Sequence, residues 1–390
     1  MRAQFGRDGP PRHSRGGPLG AQTRVPHPLP LAAQRLPGPH ADRARPETLS
    51  RDPRIHRVRA QLGARHRAVS RLRVGVVGVG HLGSHHARAW AKVEGAGLVG
   101  GFDPDPAARE RAARELGLHA FETLETLADR VDAVSVAAPT PRHADLTLYC
   151  LSRGLHVLVE KPMAQTPEEG AAMLAAARAQ KRALFVGQVE RFNPAVQAVR
   201  PLLREPRFIE AHRLAPIVPR GIDVDVILDL MIHDLDLALW VTRSRVTQVH
   251  AVGVPVLTPR IDIANARLTF ASGCVANLTA SRVSREKVRK IRFFEANEYV
   301  SVDCLNRRAE AYELKPADSD APEDLLRRIR PLEVRVEPRD PLESELTHFL
   351  ALTHEPEGSW EETEVALQAL GVAEEVRSQA MRNLPLDLSV

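Results

Sequence analysis

The 390 residues suffice for two or more domains with cores of their own, and the three cysteines (Cys150, Cys274 and Cys304) are far apart, with no CxxC pair that would suggest a zinc site or a disulfide frame. The net charge of +5 does not argue for a nucleic-acid or membrane partner: residues 1–70 hold fourteen Arg, no Lys and four acids, a net of +10, so residues 71–390 carry −5. There is no stretch of about 18 uninterrupted apolar residues to span a bilayer, and the cysteines read as buried thiols of a reducing, cytoplasmic compartment.

In chain order, residues 1–70 come first. They contain ten of the thirty prolines and no apolar period of two or 3.6, so they are expected to be disordered. A disordered basic tail with no role and a nucleic-acid or anionic-surface tether are the other readings. We expect an upstream extension of the coding frame, with the working start near Val69. No apolar run follows the early Arg residues, which argues against a signal peptide.

Residues 72–187 alternate strand and helix. Strands are predicted at 73–77, 97–102, 133–138, 156–159 and 184–187. Helices are predicted at 84–93, 106–116, 143–153 and 167–180. Strands alternating with helices of this length predict an α/β unit, a doubly wound parallel sheet over residues 71–190.

From about residue 190 the pattern changes. Residues 261–270 and 274–282 flank Ala271-Ser272-Gly273, a hairpin signal. Residues 288–294 and 299–304 form a second pair, and 334–336 an edge. An amphipathic helix is predicted over 226–241, a loop at 318–322, and helices at 341–352 and 361–382, the last behind the capping box Ser359-Trp360-Glu361-Glu362. This predicts, over residues 191–390, an α+β domain with a mostly antiparallel sheet.

The turn Gly78-Val79-Gly80-His81-Leu82-Gly83 follows an apolar strand and opens a helix, the context a dinucleotide fingerprint requires. Gly78 permits the tight turn, Gly80 admits a pyrophosphate and Gly83 allows close helix packing. His81 and Leu82 lie in the turn ahead of the helix, whose free N–H groups and dipole favour an anion. Asp103 ends the next strand, placed to accept the adenosine ribose hydroxyls and to repel a 2′-phosphate, so NAD is expected over NADP. A helix-start turn that binds nothing is the bland alternative. His81, His85 and His86 read as surface or packing histidines, not as metal ligands.

Glu160-Lys161-Pro162 follows a strand at the carboxyl edge of the parallel sheet, where ligands bind; a local Glu–Lys ion pair is the alternative. Asp229, His233 and Asp236 stand at i, i+4 and i+7 of the predicted helix and share a face. A catalytic cleft, a buried structural His–Asp pair and a zinc site all fit that stripe.

The glycine turn, Asp103, the Glu-Lys-Pro motif and the D-x-x-x-H-x-x-D helix stand here in the order and spacing of the Gfo/Idh/MocA oxidoreductases, which the chain resembles from residue 72 to about 315. The resemblance implies a Rossmann domain followed by an open-sheet α+β domain, a homodimer or homotetramer, and a dehydrogenase acting on a sugar hydroxyl. It gives Lys161 the role of catalytic lysine, Asp229 that of substrate-orienting acid and His233 that of general base. It places Pro139, Thr140, His143, Glu160 and Lys161 near the cofactor, and Gln188, Arg191 and Asn193 at the domain junction.

The stretches 189–196, 208–213 and 261–284 look closer to the subgroup that oxidises the 3-hydroxyl of UDP-N-acetylglucosamine in lipid A precursor synthesis. Arg191, Arg213, Arg220 and Arg282 are then candidate partners for a diphosphate. Arg191, Asn193, Arg213 and Asp236 are the substrate contacts expected. A myo-inositol or free-sugar dehydrogenase, an NAD-dependent glycosidase and a non-catalytic dinucleotide sensor remain the alternatives. No metal, nucleic-acid or membrane partner is expected.

Overall fold

Val74, Val76 and Val77 of β1 (Leu72–Val77) are fully buried, as a central strand covered on both faces requires. β1 pairs in parallel with β2 (Ala96–Phe102) on one side and β4 (Ala133–Val136) on the other. β3 (Ala120–Phe121), β5 (His156–Glu160) and β6 (Leu184–Gly187) complete a six-stranded parallel sheet of order 3-2-1-4-5-6. The computed structural model describes residues 71–218, 224–316 and 326–383. The first seventy residues, Arg220 and the expected 318–322 loop lie outside the described residues.

Side chains cap most of the intervening helices. Asp105 accepts from Ala107 N–H before α2 (Pro106–Leu116), Thr123 from Thr126 N–H before α3 (Leu124–Ala128), and Thr166 from Glu169 N–H before α5 (Pro167–Gln180). Helix α1 (His81–Trp90) is different. Gly80 precedes it with no side chain to offer, so its first N–H groups are left for another acceptor.

The second sheet has eight strands in the order β14-β13-β12-β11-β7-β10-β9-β8. They are β7 (Phe208–Leu214), β8 (Val246–Val254), β9 (Ile263–Phe270), β10 (Val275–Ser281), β11 (Val288–Phe294), β12 (Glu298–Asp303), β13 (Arg308–Leu314) and β14 (Ile329–Leu332). β7 and β10 run parallel and the other pairs antiparallel. One face buries Ile209, Leu268, Leu278 and Phe293 in a continuous core with α7 (Ile232–Thr242). The opposite face is polar, with Arg267 donating to Asn277 (3.0 Å) and Asn265 to Thr279 (2.9 Å) across strands.

After α6 (Pro194–Val199) and α8 (Pro341–Leu352), the long α9 (Pro356–Arg382) packs on α5 and β6 of the first sheet and on α7 and β8 of the second.

The two predicted hairpins form as read. The predicted helix 226–241 is instead a π-helical turn (Ile227–Met231) running into α7. The edge strand lies at Ile329–Leu332, not 334–336. Helix α9 starts at Pro356, so Ser359 is not a cap: its hydroxyl donates to Pro356 O (2.6 Å) and accepts from Leu184 N–H (3.2 Å).

Candidate active site

The order of the first sheet reverses at β1 and β4, and a cleft opens at their carboxyl ends, the place where doubly wound sheets bind ligands. Gly78 has φ +87°, and a Cβ there would sit 2.8 Å from Ala138 N. A Cβ on Gly83 would lie 1.7 Å from Gly78 O, so only glycine lets the helix start this close to the turn. At Gly80 a Cβ would meet nothing within 4 Å, because the backbone there faces open space.

That space is a cavity of about 860 Å³ lined by Gly78, Gly80, His81, Leu82, Asp103 and Pro139 among others. The Asp103 carboxylate is fixed by Val79 N–H and Asp105 N–H, each at 3.0 Å. Open backbone at Gly80, an uncapped helix N-terminus and a fixed carboxylate at the end of β2 fit a dinucleotide: pyrophosphate on the turn, ribose at Asp103.

Three residues expected beside the cofactor stand differently. Thr140 sits in the short 3₁₀ turn that follows Pro139. His143 is buried, its two ring nitrogens at Ala138 O (2.7 Å) and Pro162 O (2.9 Å), so it ties the end of β4 to the loop after β5 and offers no free edge to a ligand. Glu160 is turned to His86, Oε1 to Nε2 at 2.8 Å, and its Oε2 accepts from Lys161 N–H at 3.2 Å.

Lys161 extends from the end of β5 to the π turn. Its ammonium donates to the main-chain oxygen of Asp229 (2.9 Å) and lies 3.5 Å from Asp229 Oδ1. Asp225 seats that turn by accepting from Ile227 N–H and Leu228 N–H, and is itself held by Arg377 of α9 at 2.9 Å. His233 follows one turn after Asp229, half-buried, and its Nδ1 has no hydrogen-bond partner. Burial, with the Lys161, Arg213 and Arg289 cations around it, holds the imidazole well below its ordinary titration range. A neutral imidazole beside an ammonium is an acid–base pair: one accepts a proton, the other donates a hydrogen bond.

The third member of the stripe does not join them. The π turn changes the rotation between Asp229 and Asp236, and Asp236 points into the protein, 1 % exposed, in a bidentate pair with Arg191 (2.6 and 2.5 Å). This corrects the expected substrate contacts.

Arg191 is committed to Asp236 and to Glu362 at 3.5 Å, and Arg213 to Asp234 (2.9 and 2.8 Å) and Glu190 (3.0 Å). Asn193 caps α6 and donates to Cys304 O (2.9 Å). Arg282 donates to Val224 O (2.7 Å) beside Asp262. Arg191, Arg213 and Asn193 thus spend their side-chain donors on partners within the fold.

Two groups were not singled out by sequence reasoning. Arg289, on β11, pairs with Glu190 (3.2 Å), is partly exposed and is one of the cations acting on His233. Asp225 looked like one acid among several. An acid just ahead of a helix start, free to accept two N–H groups, was the signal that could have found it.

A doubly wound sheet with an uncapped glycine turn, joined to an open sheet that brings an imidazole to a strand-end lysine, defines a nicotinamide-dependent oxidoreductase. Residues 72–188 match the NAD-binding Rossmann oxidoreductase family GFO/IDH/MocA, and residues 218–295 match the GFO/IDH/MocA C-terminal domain. The chain belongs to that family and binds NAD.

It is 43% identical to the UDP-N-acetylglucosamine 3-dehydrogenase of Acidithiobacillus ferrooxidans over 242 residues, 62% of this chain and 77% of that one. It is 32% identical to an inositol 2-dehydrogenase of Rubrobacter xylanophilus over 228 residues, 55% of this chain and 66% of that one. The solved structure of the Acidithiobacillus enzyme matches with a TM-score of 0.73 at 37% identity, covering 80% of this chain and 98% of that chain. Levoglucosan dehydrogenase in complex with NADH shares the fold, with a TM-score of 0.69 at 18% identity over 80% of this chain and 97% of that one.

Proposed function

We propose that this protein oxidises the 3-hydroxyl of UDP-N-acetylglucosamine to a ketone, with Lys161, Asp229 and His233 as its reacting and orienting groups. The observation that carries the reading is the hold of Lys161 on Asp229 of the π turn, with His233 one turn further on under the Lys161 charge, in a chain matched to 98% of the length of a solved UDP-N-acetylglucosamine 3-dehydrogenase.

Bound NAD supplies the acceptor for the hydride that leaves the carbinol carbon. The turn around Gly78, Gly80, His81, Leu82 and Gly83, with Asp103 and Pro139, would hold it. His233, neutral at pH 7, takes the proton of the reacting hydroxyl. The Lys161 ammonium donates to the same oxygen and offsets the negative charge growing there. Asp229 anchors Lys161 through its carbonyl, and its carboxylate, 3.5 Å from the ammonium, orients a neighbouring hydroxyl. A 3-ketone is the substrate that amino transfer needs, which is consistent with a use in lipid A precursor synthesis.

A second reading is an inositol or free-sugar dehydrogenase. It is favoured by the commitment of Arg191 and Arg213 to internal carboxylates, which removes them as diphosphate partners. The test measures NADH formation with UDP-N-acetylglucosamine, myo-inositol and free hexoses in parallel. A rate with the nucleotide sugar and none with inositol supports our choice; the reverse overturns it.

We also propose a cytoplasmic homodimer or homotetramer that meets its copies through the polar open face of the second sheet. No helix among the described residues is long and apolar enough to cross a membrane. Sedimentation of the full chain checks the assembly.

A further inference from the structure

Beside Lys161 lies a buried polar node that the reaction above does not use. Glu345, on α8, is 0 % exposed, and neither of its carboxyl oxygens has a hydrogen-bond partner. Helix α8 packs on α1 and on the turn at residues 189–192. The charged groups facing Glu345 are Glu160 at the end of β5, Arg191 on that turn and Asp236 on α7. Around them stand His86 of α1, Lys161, and Glu362 of α9.

Two other buried atoms without partners flank Glu160: His86 Nδ1, and Oε1 of Gln188, the neighbour of Gly187, which is the register partner of Glu160. A Cβ on Gly187 would lie 3.2 Å from Glu160 Cδ, so the Glu160 carboxylate rests against that strand.

An ionised carboxylate with no donor at either oxygen is not sustainable in a site closed to water. Arg191 does not relieve it, being bonded to Asp236 and Glu362. Retaining its proton removes the charge that such a site cannot hold. Glu160, by contrast, already accepts from His86 and from Lys161 N–H. Two carboxyls out of water do not both ionise, and these contacts assign the charge to Glu160 and the proton to Glu345.

We propose that Glu345 is a positioning residue for Lys161: as a neutral acid it fills the closed site near Glu160 without adding a second buried charge, so that Glu160 stays ionised against His86 and Lys161 N–H and fixes the strand end that carries the ammonium. The assignment rests on the reading of Lys161 as the group that touches the reacting oxygen. Burial, and next the Glu160 charge, push the Glu345 carboxyl well above the usual range. Against the upward push of burial, His86 and Lys161 hold Glu160 below it.

The test compares the full chain with E345Q and E345A. The infrared difference between wild type and E345Q at neutral pH should contain the carbonyl band of a protonated carboxyl. Turnover of E345A should fall about tenfold or more with KM for NAD within about twofold, and E345Q should recover most of it. On the alkaline side the wild-type rate should fall as Glu345 loses its proton, and the E345Q rate should not. Because the folded state keeps a proton that the unfolded state releases near pH ~4.3, wild type should also lose stability relative to E345Q as pH rises above that value.

Absence of the protonated band overturns the proposal, as does wild-type turnover in E345A or equal loss in both variants. If the wild type forms no NADH from the nucleotide sugar, the substrate reading fails. The infrared and melting comparisons, which need no substrate, still decide where the proton lies.

Discussion

Lys161 meets Asp229 twice, at the carbonyl and at the carboxylate, and this double hold separates the roles of the two side chains. Removing the ammonium leaves the glycine turn and Asp103 untouched. Lys161→Ala and His233→Ala should therefore bind NAD as wild type does, by fluorescence titration, and lose about 10²–10⁴-fold in turnover. Wild-type rates in both would refute the assignment.

Burial and three cations keep His233 neutral below its ordinary value, so its protonation should set an acid limb of kcat/KM below pH ~6.5. Lys161→Met takes away one of those cations, and the limb of its residual activity should move upward. Arg289 is the partly exposed cation of this set. Arg289→Ala should raise KM for the nucleotide sugar several-fold and leave kcat within about twofold, checked by initial rates over a substrate series.

At the scale of elements, what the sequence showed was periodicity. Apolar strands between 10–15-residue helices marked the parallel sheet, and Ala271-Ser272-Gly273 marked a hairpin, because each signal is local. The π turn was not legible. Spacing by i, i+4 and i+7 presumes an α-helical rotation, whereas the turn depends on the N–H groups that the Asp225 carboxylate accepts and on the Asp229 carbonyl that Lys161 reaches from the other sheet. Charged residues misled for a related reason: sequence states that Arg191, Arg213 and Asp236 carry charge, but not that Arg191 is neutralised by Asp236, and Arg213 by Asp234, away from water.

Breaking such a pair leaves an uncompensated buried ion. Asp236→Ala should cost about 3–5 kcal/mol by denaturant melting. A raised KM with unchanged stability would return Asp236 to the substrate contacts.

On the scale of the whole molecule, the first sheet carries a titration far from the cofactor. His156, at the start of β5, accepts Ala183 N–H on Nδ1 (3.0 Å), and burial, with Arg182 beside it, lowers its pKa to about 4. A folded value depressed below that of the unfolded chain gives stability that is present above the unfolded pKa of ~6.5 and lost as pH falls toward 4. Thermal melts across that window should decline for wild type and be flatter for His156→Asn.

The hydroxyls of α9 on β6 bear on how the chain can be divided. Ser359 and Thr363 bond the amide and the carbonyl of Leu184, giving the outermost parallel strand a partner drawn from the far end of the sequence. A fragment ending near residue 190 would contain every motif of the nucleotide fold and still present a bare strand margin, a template for pairing with other chains. The two sheets are therefore not interchangeable cassettes. They are laced by the C-terminus, and a ribosome that stops before Ser359 leaves a chain fit for aggregation rather than a smaller binding protein.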